Sequence, residues 1–280
     1  MTEKFPIINT EESGEEGLEK TENQGESTLP NLENLLQEPT PDCANVIAKA
    51  NRQQYEAGGG VIGDGDWWRT NHGRILEDLI PKSAGHKRVG KEITRLFQFA
   101  IGGEVLCDLG SAGGRMESIA EAFKASLYVD VDKYPKGQND RTPIDPTKGE
   151  SELREFRKMV MKKDGGWTWG DVTGVLPEIH VRADMLDFVS RLKDSSVNIV
   201  INGIDGSIID VEEYHKLLAR ELLRVVKPNG IIFGNNTDSL SVLENMIALD
   251  PELQKQFELI DRENKHLGVG GVVIIHRKAI

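Results

Sequence analysis

The stretch VLCDLGSAGGRMESIAEAF, Val105 to Phe123, decides how the rest of the chain is read. An apolar run of strand length ends in an acid, Asp108, and a cluster of small residues from Gly110 to Gly114 follows. Met116, Ile119, Ala120 and Phe123 then recur at helical spacing. A short apolar run closed by a turn and followed by a helix is the opening of a βαβ unit. Here the acid stands before the glycines, an order that separates the turn from the best-known nucleotide loops. Counted from Gly110, a dinucleotide fingerprint needs glycine at two positions where this chain has Ala112 and Arg115. A phosphate loop needs Gly-Lys-Ser/Thr, which does not follow.

Outward from this segment the strand–helix alternation continues. SLYVDVD (Ser126–Asp132) reads as a second strand, IHVRAD (Ile179–Asp184) as a third, VNIVIN (Val197–Asn202) as a fourth and IIFGN (Ile231–Asn235) as a fifth. Helices are predicted over Arg88–Ala100, within Ser151–Lys163 (from Leu153, Phe156 and Val160), around Leu186–Leu192, over Val211–Val226 and from about Ser239 to Ala248. In the Val211–Val226 helix, Tyr214, Leu218, Leu222 and Val225 share one face, and KPNG (Lys227–Gly230) ends it. FELIDR and GVVIIHR (Gly271–Arg277) close the chain as two strands with no helix-length connection, hence an antiparallel pair. The expected fold is α/β: a doubly wound, mostly parallel seven-stranded sheet with an antiparallel last strand.

The chain has 280 residues and a formal net charge of −12. Residues 1–40 hold ten Glu and two Lys, a net of −8, which leaves −4 for the other 240. That opening is rich in Pro, Gly, Ser, Thr and Asn, so it lacks the apolar surface that offsets ordering entropy. The expected division is an acidic disordered tail over 1–41, an N-terminal helical cap segment over 42–103, and a ligand-binding domain over 104–280 with an insertion at about 133–178. LPNLENLLQ (Leu29–Gln37) is the one short helix expected in the tail. No apolar run reaches the roughly 18 residues of a membrane span and no basic-then-apolar leader opens the chain, which points to a soluble, cytoplasmic protein. Two distant cysteines, Cys43 and Cys107, offer neither a disulfide framework nor a zinc site.

Asp108, Gly110, Ala112 and Gly114 together form acid-x-Gly-x-small-x-Gly, which resembles motif I of the class I methyltransferases that use S-adenosylmethionine (SAM). The resemblance spans Glu104–Arg277, with Ala112 in place of the family's central glycine. It implies that Asp108 and the Gly110–Ser111–Ala112–Gly114 turn take the methionine half of SAM, the carboxylate meeting the ammonium group directly or through water. It implies that Asp132, closing the second strand, accepts the ribose hydroxyls, with Asp130 in DVD as the competitor. ADM (Ala183–Met185) matches the adenine-binding acid, giving Asp184 to the exocyclic amine and Met185 to the ring. NIVINGID matches the fourth-strand motif and adds Asn202 to the cofactor contacts. The plain alternative for Asp108 and Asp184 is that each fixes a turn or caps a helix.

The methyl acceptor is less legible. NGIDG (Asn202–Gly206) lacks the Pro-Pro-aromatic motif of exocyclic- and amide-nitrogen enzymes. Asp205 with Asn235 and Asn236 resembles a Mg²⁺-binding arrangement, but Asn235 stands for a carboxylate, so no metal site is expected. Trp67 and Trp68, and Trp167 and Trp169, lie outside the scaffold and are read either as an acceptor-binding cap or as packing for the insertion. The mildly acidic body favours a small molecule or protein side chain over nucleic acid as partner. Two rivals remain: a non-catalytic protein of the same fold that acts through its acidic tail, and a nicotinamide enzyme, which the glycine spacing opposes.

Overall fold

The computed structural model describes residues 32–56, 91–110, 116–132, 154–156, 159–161, 167–169, 176–201, 211–235, 238–260 and 272–279. Helices α1 (Leu32–Leu35), α2 (Cys43–Glu56) and α3 (Lys91–Ile101) precede strand β1 (Val105–Leu109), α4 (Glu117–Ala122) and β2 (Leu127–Asp132). Three short strands follow, β3 (Arg154–Phe156), β4 (Met159–Met161) and β5 (Trp167–Trp169). Then come β6 (Glu178–Arg182), α5 (Met185–Ser190), β7 (Asn198–Ile201), α6 (Glu212–Val225), β8 (Ile231–Asn235), α7 (Asp238–Leu249), α8 (Pro251–Gln256), β9 (Phe257–Ile260) and β10 (Val272–Arg277).

The main sheet runs β3-β6-β2-β1-β7-β8-β10-β9. Strands β6, β2, β1, β7 and β8 are parallel, and β10 lies antiparallel between β8 and β9. Without β3 this is the seven-stranded order and connectivity of the class I methyltransferase fold. The fifth-strand bounds and the antiparallel closing pair stand where the sequence placed them.

The expected helix within Ser151–Lys163 is not formed. Arg154–Phe156 pairs antiparallel with β6 and adds an eighth strand, and Met159–Met161 pairs with Trp167–Trp169 in a separate hairpin. Spacing alone fitted a helix, but β6 had an unpaired edge, and a strand laid there satisfies its backbone groups. The expected start of the folded body at residue 42 also moves. Leu32 is buried, Leu36 bridges Leu192, and the backbone pairs Lys193 N–Leu35 O, Gln37 N–Arg191 O and Thr40 N–Ser190 O hold residues 35–40 as a strap. Helix α8 was not anticipated, although Asp250 caps it and Pro251 opens it, a signal visible in DPEL.

Strict alternation in the strands divides the core. Cys107, Leu109, Val129, Val131, Ile199 and Ile201 face α2, α5, α6 and α7, while Leu106, Tyr128, Val200 and Phe233 face α3 and α4. Phe97 anchors the second face, 4.8 Å from Phe233 and 5.4 Å from Phe123 between ring centroids. Between β7 and β8 the backbones approach so closely that a Cβ on Gly234 would lie 1.8 Å from the Ile201 carbonyl oxygen, which explains the glycine in IIFGN.

One buried amide ties three elements together. Asn198 donates from Nδ2 to the carbonyls of Ala100 (2.9 Å) and Val105 (3.3 Å), and its Oδ1 accepts the Ile231 N–H (3.0 Å). It thereby fixes the start of β1 and the end of α3 against β7 and β8. Asn198→Ala should cost roughly 2–4 kcal/mol, since it orphans buried groups on three segments. Urea unfolding of the two proteins checks this; a change under about 1 kcal/mol would mean that water replaces the amide.

Candidate functional site

In a parallel sheet the ligand crevice lies beyond the carboxyl ends of the strands. The register puts Leu109 beside Val131, Val131 beside Val181 and Asp132 beside Arg182. The ends of β1, β2 and β6 are therefore level, and Gly110, Asp132 and Asp184 come to one edge. Gly110 has φ +71° and donates its N–H to the Val131 carbonyl at 2.9 Å. That left-handed backbone is open to glycine and costly for residues with a Cβ, so β1 can turn sharply out of the sheet only with Gly at this position. Ser111, Ala112, Gly114 and Asn202 lie outside the described residues, as do Trp67, Trp68, Asp205 and Asn236.

Asp108 is fully buried. Its Oδ2 accepts the Tyr128 hydroxyl at 2.6 Å and the Met116 backbone N–H at 3.3 Å, which ties β1 to β2 and to the start of α4. This is the turn-fixing role held open for it in the sequence. Its Oδ1 is also buried and has no hydrogen-bond partner among the described residues. Burial, then the charge of Asp130, push the Asp108 carboxyl up to about 7, against the lowering effect of the Tyr128 and Met116 bonds.

Asp130, the competitor for the ribose role, is buried one strand over, opposite Asp108. Its Oδ2 meets His180 Nδ1 at 2.6 Å, and His180 Nε2 lies 3.3 Å from Glu178 Oε2. Burial by itself would lower the His180 pKa, but the hydrogen bonds and charges of Asp130 and Glu178 raise it to about 9. Asp130 is thus engaged inside the sheet, whereas Asp132, two residues on, is half-buried at the strand end. Alternation puts Asp108, Tyr128, Asp130 and His180 on the α3/α4 face of the sheet, a polar row directly under the glycine turn.

Asp184 caps α5: its Oδ1 accepts the Leu186 N–H at 2.9 Å and the Tyr214 hydroxyl at 2.8 Å. The side chain is only 2% exposed, and Met185 beside it is buried in the core. Tyr128, His180 and the His215–Ser239 pair (2.8 Å) were not singled out in the sequence, and Tyr214 was read there only as part of an apolar helix face. The available signal was a polar residue interrupting an apolar strand or helix face, as His180 interrupts IHV. No group of three or more His, Cys, Asp or Glu with metal-binding geometry occurs among the described residues. No helix among them is long and apolar enough to cross a membrane.

No family model and no curated protein matches the chain. Among solved structures it is similar to the ribosomal protein L11 methylase of Lactobacillus delbrueckii subsp. bulgaricus, at 15% identity over 68% of this chain and 80% of that one, with a TM-score of 0.37. It is similar to SMU.1697c of Streptococcus mutans, solved in complex with SAH, at 11% identity over 68% and 99% of the two chains and a TM-score of 0.40. The aminoglycoside resistance methyltransferase NpmB1 gives 13% identity over 68% and 94%, with a TM-score of 0.32. Such distant likenesses say nothing about substrate; the class I methyltransferase fold is carried by the strand order itself.

The ion pairs under the turn give a signed pH effect. His180 binds its proton more tightly folded than unfolded, so its contribution to stability is complete below about 6.5 and is lost as pH rises through about 9. The melting temperature should fall over that window, and His180→Gln should flatten the fall. An unchanged slope in the variant would show that another group titrates there.

Proposed function

We propose that this protein is a SAM-dependent methyltransferase. The observation that supports it most is the Oδ1 of Asp108, buried near the end of the central strand beneath the Gly110 turn with no partner among the described residues, while Asp132 ends the next strand level with Gly110. A buried carboxylate oxygen without a partner is costly and calls for a donor, and a cationic ammonium supplies one. The donor-seeking Oδ1 of Asp108 and the half-buried Asp132 carboxylate at its strand end suit the ammonium and the ribose hydroxyls of SAM. Asp108 and the turn through Ser111, Ala112 and Gly114 would hold the amino acid end, Asp132 the ribose hydroxyls, and Asp184, Met185 and Asn202 the adenine side.

When bound, SAM supplies an activated methyl group on a sulfonium. The chain's own task is then to align the acceptor, exclude water and accept a proton where the acceptor carries one. No residue is assigned to that last step. The acceptor is proposed to be a small molecule or a protein side chain, on the grounds that the chain outside the tail is mildly acidic. The reading as a non-catalytic module acting through its tail has no feature of the described residues in its favour.

Asp108→Asn keeps both bonds to Oδ2 in shape but removes the charge, and should weaken SAM about 10- to 100-fold in calorimetry, as should Asp132→Asn for the ribose. Binding unchanged in both variants would remove the proposal. Proton linkage gives an independent check. SAM's ammonium requires ionised Asp108, so affinity should fall as pH drops below about 7, by up to about tenfold per unit, with proton release on binding near neutrality. Tyr128→Phe removes a bond that favours the charged form and should move this dependence to higher pH. A pH-independent affinity in the parent protein would place the ligand away from Asp108.

A further inference from the structure

Asp108, Asp130, Glu178 and His180 share one face of the sheet beneath the Gly110 turn, three carboxyl groups against one imidazole. Asp108 and Asp130 are register partners on β1 and β2, so their Cα atoms stand about 5 Å apart with side chains to the same side. Both are buried. Two carboxylates that close and that dry do not both keep their charge unless a cation is near. The cation in the row is His180. Its Nδ1 meets Asp130 Oδ2 at 2.6 Å, and its Nε2 lies 3.3 Å from Glu178 Oε2 with ion-pair rather than hydrogen-bond geometry. Both ring nitrogens therefore face carboxylate oxygens, which accept and do not donate, a setting that keeps the ring as the imidazolium. This cation stands at one end of the row, with Asp130 between it and Asp108. The charged groups facing Asp108 are Asp130 and Asp132 from β2, with His180 and Glu178 beyond them on β6; β7 brings Val200 and α4 the Met116 N–H. Among the described residues no cation is paired with Asp108, so the surplus negative charge lies at its end of the row.

We propose that His180 is a positioning residue for the ligand's ammonium: by holding a positive charge against Asp130, it leaves Asp108 as the carboxylate of the row that a bound cation completes. This role rests on the SAM site proposed above. His180 acts through Asp130 and does not touch the ligand. Its effect has a definite sign. With His180 neutral, Asp130 is uncompensated, and the proton that the two carboxylates then share stays on to higher pH. With Asp130 neutral, Asp108 ionises more readily, and the ammonium finds a carboxylate at lower pH. A pair that only tied β6 to β2 would carry no such sign, because losing either member loosens the same two strands.

Calorimetric titration of the full-length protein with SAM over a range of pH tests this. In the parent the fall in affinity should centre near about 7. His180→Gln should move that midpoint up by about one pH unit, and Asp130→Asn should move it down by about as much. The double variant leaves neither member of the pair alone, and its midpoint should fall between those of the single variants. Any two of the three variants that fold therefore give the order. Methylthioadenosine, which lacks the ammonium, should show no such dependence in any of them. Carbon-13 titration of the Asp108 carboxyl in the unliganded proteins should follow the same order. Midpoints that stay in place, or that move together in the two single variants, overturn the proposal while SAM binding stands. So does an equal shift with methylthioadenosine. Failure of the parent to bind SAM at any pH removes the SAM reading itself and this role with it, whatever the carboxyl titration shows.

Discussion

A buried row of polar side chains under a glycine turn is the constraint from which the rest of this structure follows. Asp108, Asp130 and His180 stand on three adjacent strands in matched register, and Tyr128 reaches diagonally to Asp108. Charges and hydroxyls placed inside a sheet are expensive unless each finds a partner, so the row tolerates little slippage between β1, β2 and β6. A shift of one residue would swing every one of these groups to the opposite apolar face. The polar row thus specifies the register, while the alternating Val, Ile and Leu residues supply the burial energy on both faces. Level strand ends follow from that register, and a crevice needs level strand ends.

Most of the sheet was legible because it depends on local signals. Apolar runs bounded by turns gave the five parallel strands, and the break at Lys227–Gly230 set the end of α6 closely. The failures came where a segment's fate is settled by something distant. Residues 154–156 became a strand because β6 offered an open edge, and residues 32–40 joined the body because Leu192 and Arg191 offered backbone partners. Neither opportunity is visible in the segment's own pattern. In both places the tertiary partner outweighed local composition, as it generally does for edge strands and short straps.

The site divides along the same line. That an acid sits before the turn and another ends the second strand can be read from spacing. Which of Asp130 and Asp132 faces the crevice cannot be settled by spacing alone, since both point to one side of the strand. His180 bears on the choice: it engages Asp130 at 2.6 Å inside the sheet, while Asp132 stands half-buried at the strand end. The partner lies fifty residues away in sequence, beyond the reach of any local pattern. Asp108 likewise holds the turn through one oxygen while the other has no partner among the described residues, so the turn-fixing role and the proposed ligand role fall on different atoms of one side chain.

That division of labour within one carboxyl group has a chemical consequence. A carboxylate fully satisfied by the protein would sit at low pKa and gain little from a ligand, and one wholly exposed would be satisfied by water. Asp108 is held between these limits, with Oδ2 fixed in place and Oδ1 desolvated, and its pKa near neutrality records the cost. A cation arriving at Oδ1 finds the geometry already set and recovers a desolvation penalty incurred on folding. Electrostatic sites gain strength in this way, by orienting the charge before the ligand comes rather than upon its arrival. On this argument Tyr128 and Met116 contribute to ligand affinity without touching the ligand, by keeping the other oxygen from turning away.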